Sequence, residues 1–159
     1  MFYFTFKQAA RMCLLAASCL GAAHGASSSA GVAPFAKYQQ ECAACHIAYP
    51  PGMLPAASWQ RLMGTLGKHY GADASLDEAT THEIGAWLKT QAGSYKRVSE
   101  EPPQDRITKS AWFLQKHRAG EVPPDVWKRP SVGSAANCSA CHTHAAQGNF
   151  SERDIRIPK

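Results

Sequence analysis

The sequence predicts an all-α fold. Apolar residues recur at three- and four-residue steps in several segments, no alternating run of useful length marks a β-strand, and prolines and glycines divide the chain into short helix-sized pieces.

Residues 1–25 are set aside first. Lys7 and Arg11 are followed by an apolar or small run from Met12 to Ala23, and Ala23-His24-Gly25 offers small residues before a cut at Ala26. This is the pattern of a cleaved secretory signal peptide, which implies a periplasmic location. The alternative, a membrane anchor, needs a longer apolar run of about 20 residues.

Ala26 to Pro34 reads as a flexible leader, and Phe35 to Cys45 as a short helix. Tyr49-Pro50-Pro51-Gly52-Met53-Leu54-Pro55 is too broken for a helix and reads as a loop. A second helix is expected over Ala56–Tyr70, where Trp59, Leu62, Met63, Leu66 and His69 share a face, and Gly71 ends it. Ser75 or Asp77 can cap a third helix through about Gln91, with Ile84, Trp87 and Leu88 on its apolar side. The polar stretch around Glu100-Glu101-Pro102-Pro103 divides the remainder into two halves, 26–100 and 101–159. The second half is expected to hold one helix, Ile107–Arg118, with Ile107, Ala111, Leu114 and His117 on one face and Phe113 beside it. Beyond it lie an irregular stretch packed by Trp127 and a charged surface tail to Lys159. The four tryptophans, 59, 87, 112 and 127, read as packing residues.

The cysteines carry the chemistry. Six in a short secreted chain would ordinarily suggest disulfides. Cys13 and Cys19 fall in the signal peptide, and the other four form Cys42-Ala43-Ala44-Cys45-His46 and Cys138-Ser139-Ala140-Cys141-His142. Cys-x-x-Cys-His is the attachment pattern of c-type haem: the thiols bond the porphyrin and the adjacent His becomes the proximal iron ligand. Two copies that use every remaining cysteine predict two covalently bound haems, with Cys42, Cys45, Cys138 and Cys141 as attachment points and His46 and His142 as iron ligands. A four-cysteine zinc site would leave both histidines unexplained. The fold class is thereby narrowed to a small haem-organised one with an irregular second haem-binding half. Two haems would supply much of its core, so the chain without them is expected to be largely unfolded.

Charge adds little. The whole chain carries +5; without residues 1–25 fifteen basic and twelve acidic residues remain, about +3. Haem propionates would offset that, and no basic run interleaved with aromatics points to nucleic acid.

Distal iron ligands decide between a closed and an open haem. Candidates are His69, His82, His117, His144, Met53 and Met63. His69 and His117 each continue an apolar stripe at a helix end, one per half, and are preferred. His82 points away from its helix's apolar side, and His144 stands too close to His142 to reach the opposite face of the same haem, though it could approach the other. Met53 sits in a loop of the kind that holds a ligating Met, and Met63 reads as core.

Several stretches resemble the bacterial dihaem cytochrome c family: His46-Ile47-Ala48-Tyr49-Pro50-Pro51, Leu54-Pro55-Ala56-Ala57-Ser58-Trp59, His69-Tyr70-Gly71-Ala72-Asp73-Ala74-Ser75-Leu76, Ile107 to Phe113, Lys116-His117-Arg118 and Cys141-His142-Thr143. The resemblance runs over nearly the whole chain after the signal peptide. It implies a periplasmic electron-transfer protein rather than an enzyme, with an N-terminal part related to class I cytochromes c and two bis-histidine haems. It also implies redox partner proteins, among them an oxygen-binding monohaem c-type cytochrome and a membrane cytochrome b. His69 and His117 match the family's other recurrent histidines; chain order alone pairs His69 with the first haem and His117 with the second. The rival enzyme reading, a dihaem peroxidase, needs an openable iron. The other rival, a cytochrome subunit of a larger respiratory complex, shares the haem chemistry.

Overall fold

Four helices and a series of single 3-10 turns make up the computed structural model, which describes residues 35–93, 98 and 100–159. The expected signal peptide and leader lie outside the described residues. The helices are α1 (Ala36–Cys42), α2 (Ala56–Met63), α3 (Glu78–Gln91) and α4 (Ala111–Lys116). Among the described residues the β-pairing consists of two isolated bridges, His69 with Ala72 and His142 with Ile155.

α3 follows its sequence closely. Asp77 is its N-cap and accepts a hydrogen bond from the Thr80 amide at 2.9 Å. Ile84 and Leu88 are fully buried, with Trp87 partly so. α2 packs on α3, with Met63 set beside Gly85. Tyr38, Leu54, Trp59 and Met63 complete the cluster, so the apolar core belongs to the first half. Gly93 ties the chain after α3 to the loop preceding α2. Its amide donates to the Leu54 carbonyl at 2.8 Å, and a Cβ there would stand 2.5 Å from the Gly52 carbonyl.

Two expected helices are interrupted. The one expected over 56–70 ends at Met63, with Gly64 as C-cap and a 3-10 turn at Leu66–Lys68. The Leu66 carbonyl accepts from the amides of His69 and Ala74, which turns the chain back on itself. His69 therefore stands on a turn rather than at a helix end. The helix expected over 107–118 is split at Ser110, whose backbone is extended and whose hydroxyl accepts from the Phe113 amide. A 3-10 turn at Ile107–Lys109 precedes that cap, and α4 follows it. The face of α4 is shifted accordingly: Phe113 is buried and Leu114 is 58 % exposed.

The second half has Phe113, Val126, Val132 and Ala145 buried, outside the apolar cluster of the first. Val126, rather than Trp127, is the buried residue of its turn. The tail is charged but does not merely coat the surface. Its Arg156 amide donates to the Cys141 carbonyl at 2.9 Å, Ile155 bridges His142, and Thr143 donates its hydroxyl proton to the Asp154 carbonyl. The described residues fall within one compact unit, Val32–Lys159. Contacts cross the 100/101 position: Arg61 holds Asp105 through two nitrogens and Glu101 through one.

Candidate haem sites

At the first motif, α1 carries Cys42 on its last turn, and the chain leaves the helix before Cys45 and His46. The His46 Nδ1 donates to the Ile47 carbonyl at 2.6 Å, since a carbonyl can only accept. That fixes the tautomer and leaves Nε2 with a free lone pair. Tyr49 stacks on the His46 ring at 4.8 Å and 28°. The His69 ring centroid lies 6.1 Å from that of His46, with the planes 27° from parallel.

At the second motif, a 3-10 turn holds Cys138–Ala140, and His142 donates its amide to the Cys138 carbonyl. His117, the C-cap of α4, faces His142 across 6.1 Å at 67°. The His117 Nδ1 donates to the Phe113 carbonyl at 3.0 Å, and its ring stacks on Phe113 at 4.0 Å and 16°.

The matching separations fit one metal between each pair. A metal–imidazole nitrogen bond is about 2 Å, so two imidazoles on opposite sides of one metal place their centroids roughly 6 Å apart. Burial, then the neighbouring His46 and Arg106, pushes His69 below the usual imidazole range; burial, then His117, does the same to His142. Both shifts favour the neutral imidazole that a metal requires. The Nδ1 atoms of His69 and His142 are buried without a partner.

Between His117 and His142 lies a cavity of about 650 Å³, within the range of cofactor sites. Cys138, Cys141, Trp112, Trp127, Phe150 and Ile157 contribute to its wall. Ile157 is 41 % exposed although it faces the cavity, so an apolar plate there would cover it. Met53 reaches the same cavity from the loop of the first half. Of the other candidates, His82 and His144 are exposed and Met63 packs in the core.

The thiols are not poised for redox exchange. Cys42 is raised to about 11, chiefly by burial and then by Glu41, and burial also raises Cys138 and Cys141. A reactive dithiol would be shifted the other way. None of the four is in a disulfide, and no cluster of three or more His, Cys, Asp or Glu is placed to hold a metal ion among the described residues.

Sequence reasoning named the four histidines but missed the partners that hold them. Phe113 was placed beside the apolar face rather than against His117, and Tyr49 was read as part of a loop. The tail, too, was not expected at the second site.

The family model of dihaem cytochrome c matches residues 38–150. Among solved structures, DHC purified from Rhodobacter sphaeroides is 43 % identical, with 75 % of this chain and 99 % of that chain covered and a TM-score of 0.65. A second structure, the dihaem cytochrome c from the same organism, is 41 % identical over 76 % of this chain and all of that one, with a TM-score of 0.67. The dihaem cytochrome type c from Shewanella baltica OS155 is 37 % identical over 77 % and 92 %, also with a TM-score of 0.67. No curated protein matches the chain. With two c-type haems as its cofactors and haem-based electron transfer as its chemistry, this chain belongs to the dihaem cytochrome c family.

Proposed function

We propose that the chain is a periplasmic electron carrier, not an enzyme, with two low-spin bis-histidine haems. Cys42 and Cys45 would attach the first haem, with His46 and His69 as its axial ligands. Cys138 and Cys141 would attach the second, with His142 and His117. The supporting observation is the pair of 6.1 Å imidazole separations, each joining a motif histidine to a histidine of another segment. Bound haem supplies a reversible one-electron iron couple.

The chain's part is to hold and shield. Backbone carbonyls orient His46 and His117, while Tyr49 and Phe113 support their rings. An iron closed by two imidazoles has no position for oxygen or peroxide, which disfavours a peroxidase. The proposal keeps the two haem-bearing parts, 26–100 and 101–159, as the organisation of the chain. Redox proteins are its partners, among them an oxygen-binding monohaem c-type cytochrome and a membrane cytochrome b. The sequence of residues 1–25 supports the periplasmic location; among the described residues no helix is long and apolar enough to cross a membrane.

Visible and paramagnetic resonance spectra of the wild type, His69→Ala and His117→Ala test the reading. Two low-spin signals in the wild type are expected, with a single haem converted in each variant: the first in His69→Ala, the second in His117→Ala. A high-spin wild-type signal, or carbon monoxide binding to its reduced form, would overturn it.

A further inference from the structure

Arg106 follows Asp105 in the chain but does not pair with it. The Asp105 carboxylate is held by Arg61 at 2.9 Å and 2.6 Å, and Glu101 goes to Arg61 as well. Arg106 lies instead over the Tyr70 ring, its guanidinium carbon 4.0 Å from the centroid. That contact is attractive but offers no oxygen to the N–H groups. Among the described residues the Arg106 side chain has no carboxylate partner. Its nitrogens are open rather than occluded, since the buried unpartnered side-chain atoms of the described residues belong to His69, Trp112 and His142.

The chain holds this cation in place at some local cost. Tyr70, Gln104 and Asp105 all have left-handed backbones, with φ of 54°, 59° and 54°. Residues other than glycine adopt that conformation only where the surroundings impose it. The three are tied together, because the Tyr70 hydroxyl donates to the carbonyls of Gln104 and Asp105, each at 3.0 Å. The Tyr70 ring in turn stands 5.0 Å from the His69 ring. Ile107, the next residue, lines the second cavity, whereas Arg106 is committed to the neighbourhood of His69.

The chemistry of haem restricts what an open guanidinium there could bind. The porphyrin nitrogens are bound to iron and most of the periphery is hydrocarbon, so the anionic groups are the propionates. A guanidinium matches a carboxylate in charge and in the fork of its donors. We infer that Arg106 is a carboxylate-binding residue of the first haem site, its guanidinium donating to a haem propionate. This rests on the haem placement proposed above. A cation so held opposes the extra positive charge of ferric iron, and thus keeps the potential of the first haem up.

The experiment uses the holoprotein with Arg106→Gln and Arg106→Lys. Resonance Raman spectra of Arg106→Gln should show a propionate bending band shifted to lower frequency. Redox titration should show a lower potential for the first haem, identified as the one that His69→Ala converts. The second haem should keep its potential, and both should stay low-spin. Arg106→Lys keeps the charge without the fork and should restore most of the potential. An unmoved propionate band in Arg106→Gln would overturn the inference even if the potential fell, because a charge at a distance lowers the potential without any bond. Should the glutamine variant not mature, nitrogen-15 arginine labelling of the wild type gives an independent reading. Slowly exchanging, hyperfine-shifted Arg106 guanidinium protons support the bond, and freely exchanging ones rule it out. Failure of the haem placement itself looks different. His69→Ala would then leave both haems low-spin, and the inference would fall with that reading.

Discussion

The Tyr49 hydroxyl donates to the Ala136 carbonyl at 2.8 Å, while the Tyr49 ring stacks on His46. One side chain thus joins the histidine of the first motif to the segment just ahead of Cys138. The contact spans 87 residues of sequence, so it fixes one motif relative to the other.

Tyr49→Phe should therefore preserve the stack and lose the tie, lowering stability by about 0.5–1.5 kcal/mol. Burial, and then the nearby Cys138, raises the phenol to about 12. For a group raised on folding, the contribution is complete below the unfolded value of roughly 10 and disappears as pH rises through the folded one. Denaturant titrations should thus give a constant difference between wild type and Tyr49→Phe from neutral pH to about 10 and a shrinking one above it. A difference that vanished by pH 9 would contradict this.

The Arg61 guanidinium beside Asp105 holds that carboxyl below the usual carboxylate range. The Asp105 side chain is 15 % exposed but its partner is open to solvent, which screens the pair, so its contribution is small. A depressed carboxyl stabilises the fold above its unfolded value, near 3.9, and that stability is lost as pH falls through the lower folded value. Arg61→Gln should consequently be less stable than wild type at neutral pH, with the gap closing below about pH 4. Acid titrations of both proteins, followed by circular dichroism, would measure the gap; one that widened in acid would refute the assignment.

The two haem motifs can be read in the sequence because covalent haem attachment demands contiguous residues. Cys42 to His46 and Cys138 to His142 are local patterns, and the Asp77 cap and the Ile84–Leu88 spacing of α3 are local too. The breaks at Gly64 and Ser110 were not read. The first depends on Ala74 donating back to Leu66, and the second on a single hydroxyl choosing Phe113 as its partner. The same holds for Tyr49 with Ala136 and for the tail with Cys141. Two of these bonds are local and two are long-range, but each is a single hydrogen bond, which leaves no periodic mark in a sequence.

Phe113 offers a test of how His117, the proposed distal ligand of the second haem, is held. It is buried, stacks on His117 and accepts from it through its carbonyl. Phe113→Leu keeps the carbonyl and the approximate volume, so the stability cost should stay under about 1.5 kcal/mol. The flat support of the imidazole is lost all the same. Paramagnetic resonance of the oxidised protein should show a high-spin fraction at the second haem, with the first unchanged; equal effects at both would show that the stack has no special role.

The tail makes the last prediction. Ile155 and Ile157 face the second cavity, and the intervening Arg156 donates its amide to Cys141. Arg129 donates to the Pro158 carbonyl, which closes the segment at its far end. The alternation places two apolar side chains on the cavity side of an extended segment and a charged one on the other. Ile157→Asp would put a carboxylate against an apolar surface, where fully burying an isoleucine is worth about 1.5–3 kcal/mol. The tail should then detach locally, since its remaining ties are few. Hydrogen exchange at the Arg156 amide, which donates to the Cys141 carbonyl, should accelerate, and added imidazole should enter the second site more readily than the first. The change Ile157→Val, which shortens the side chain without adding charge, should leave both measurements close to wild type. If Ile157→Asp left exchange at Arg156 and imidazole entry both unaltered, the tail would be a surface appendage and not a wall of the second cavity.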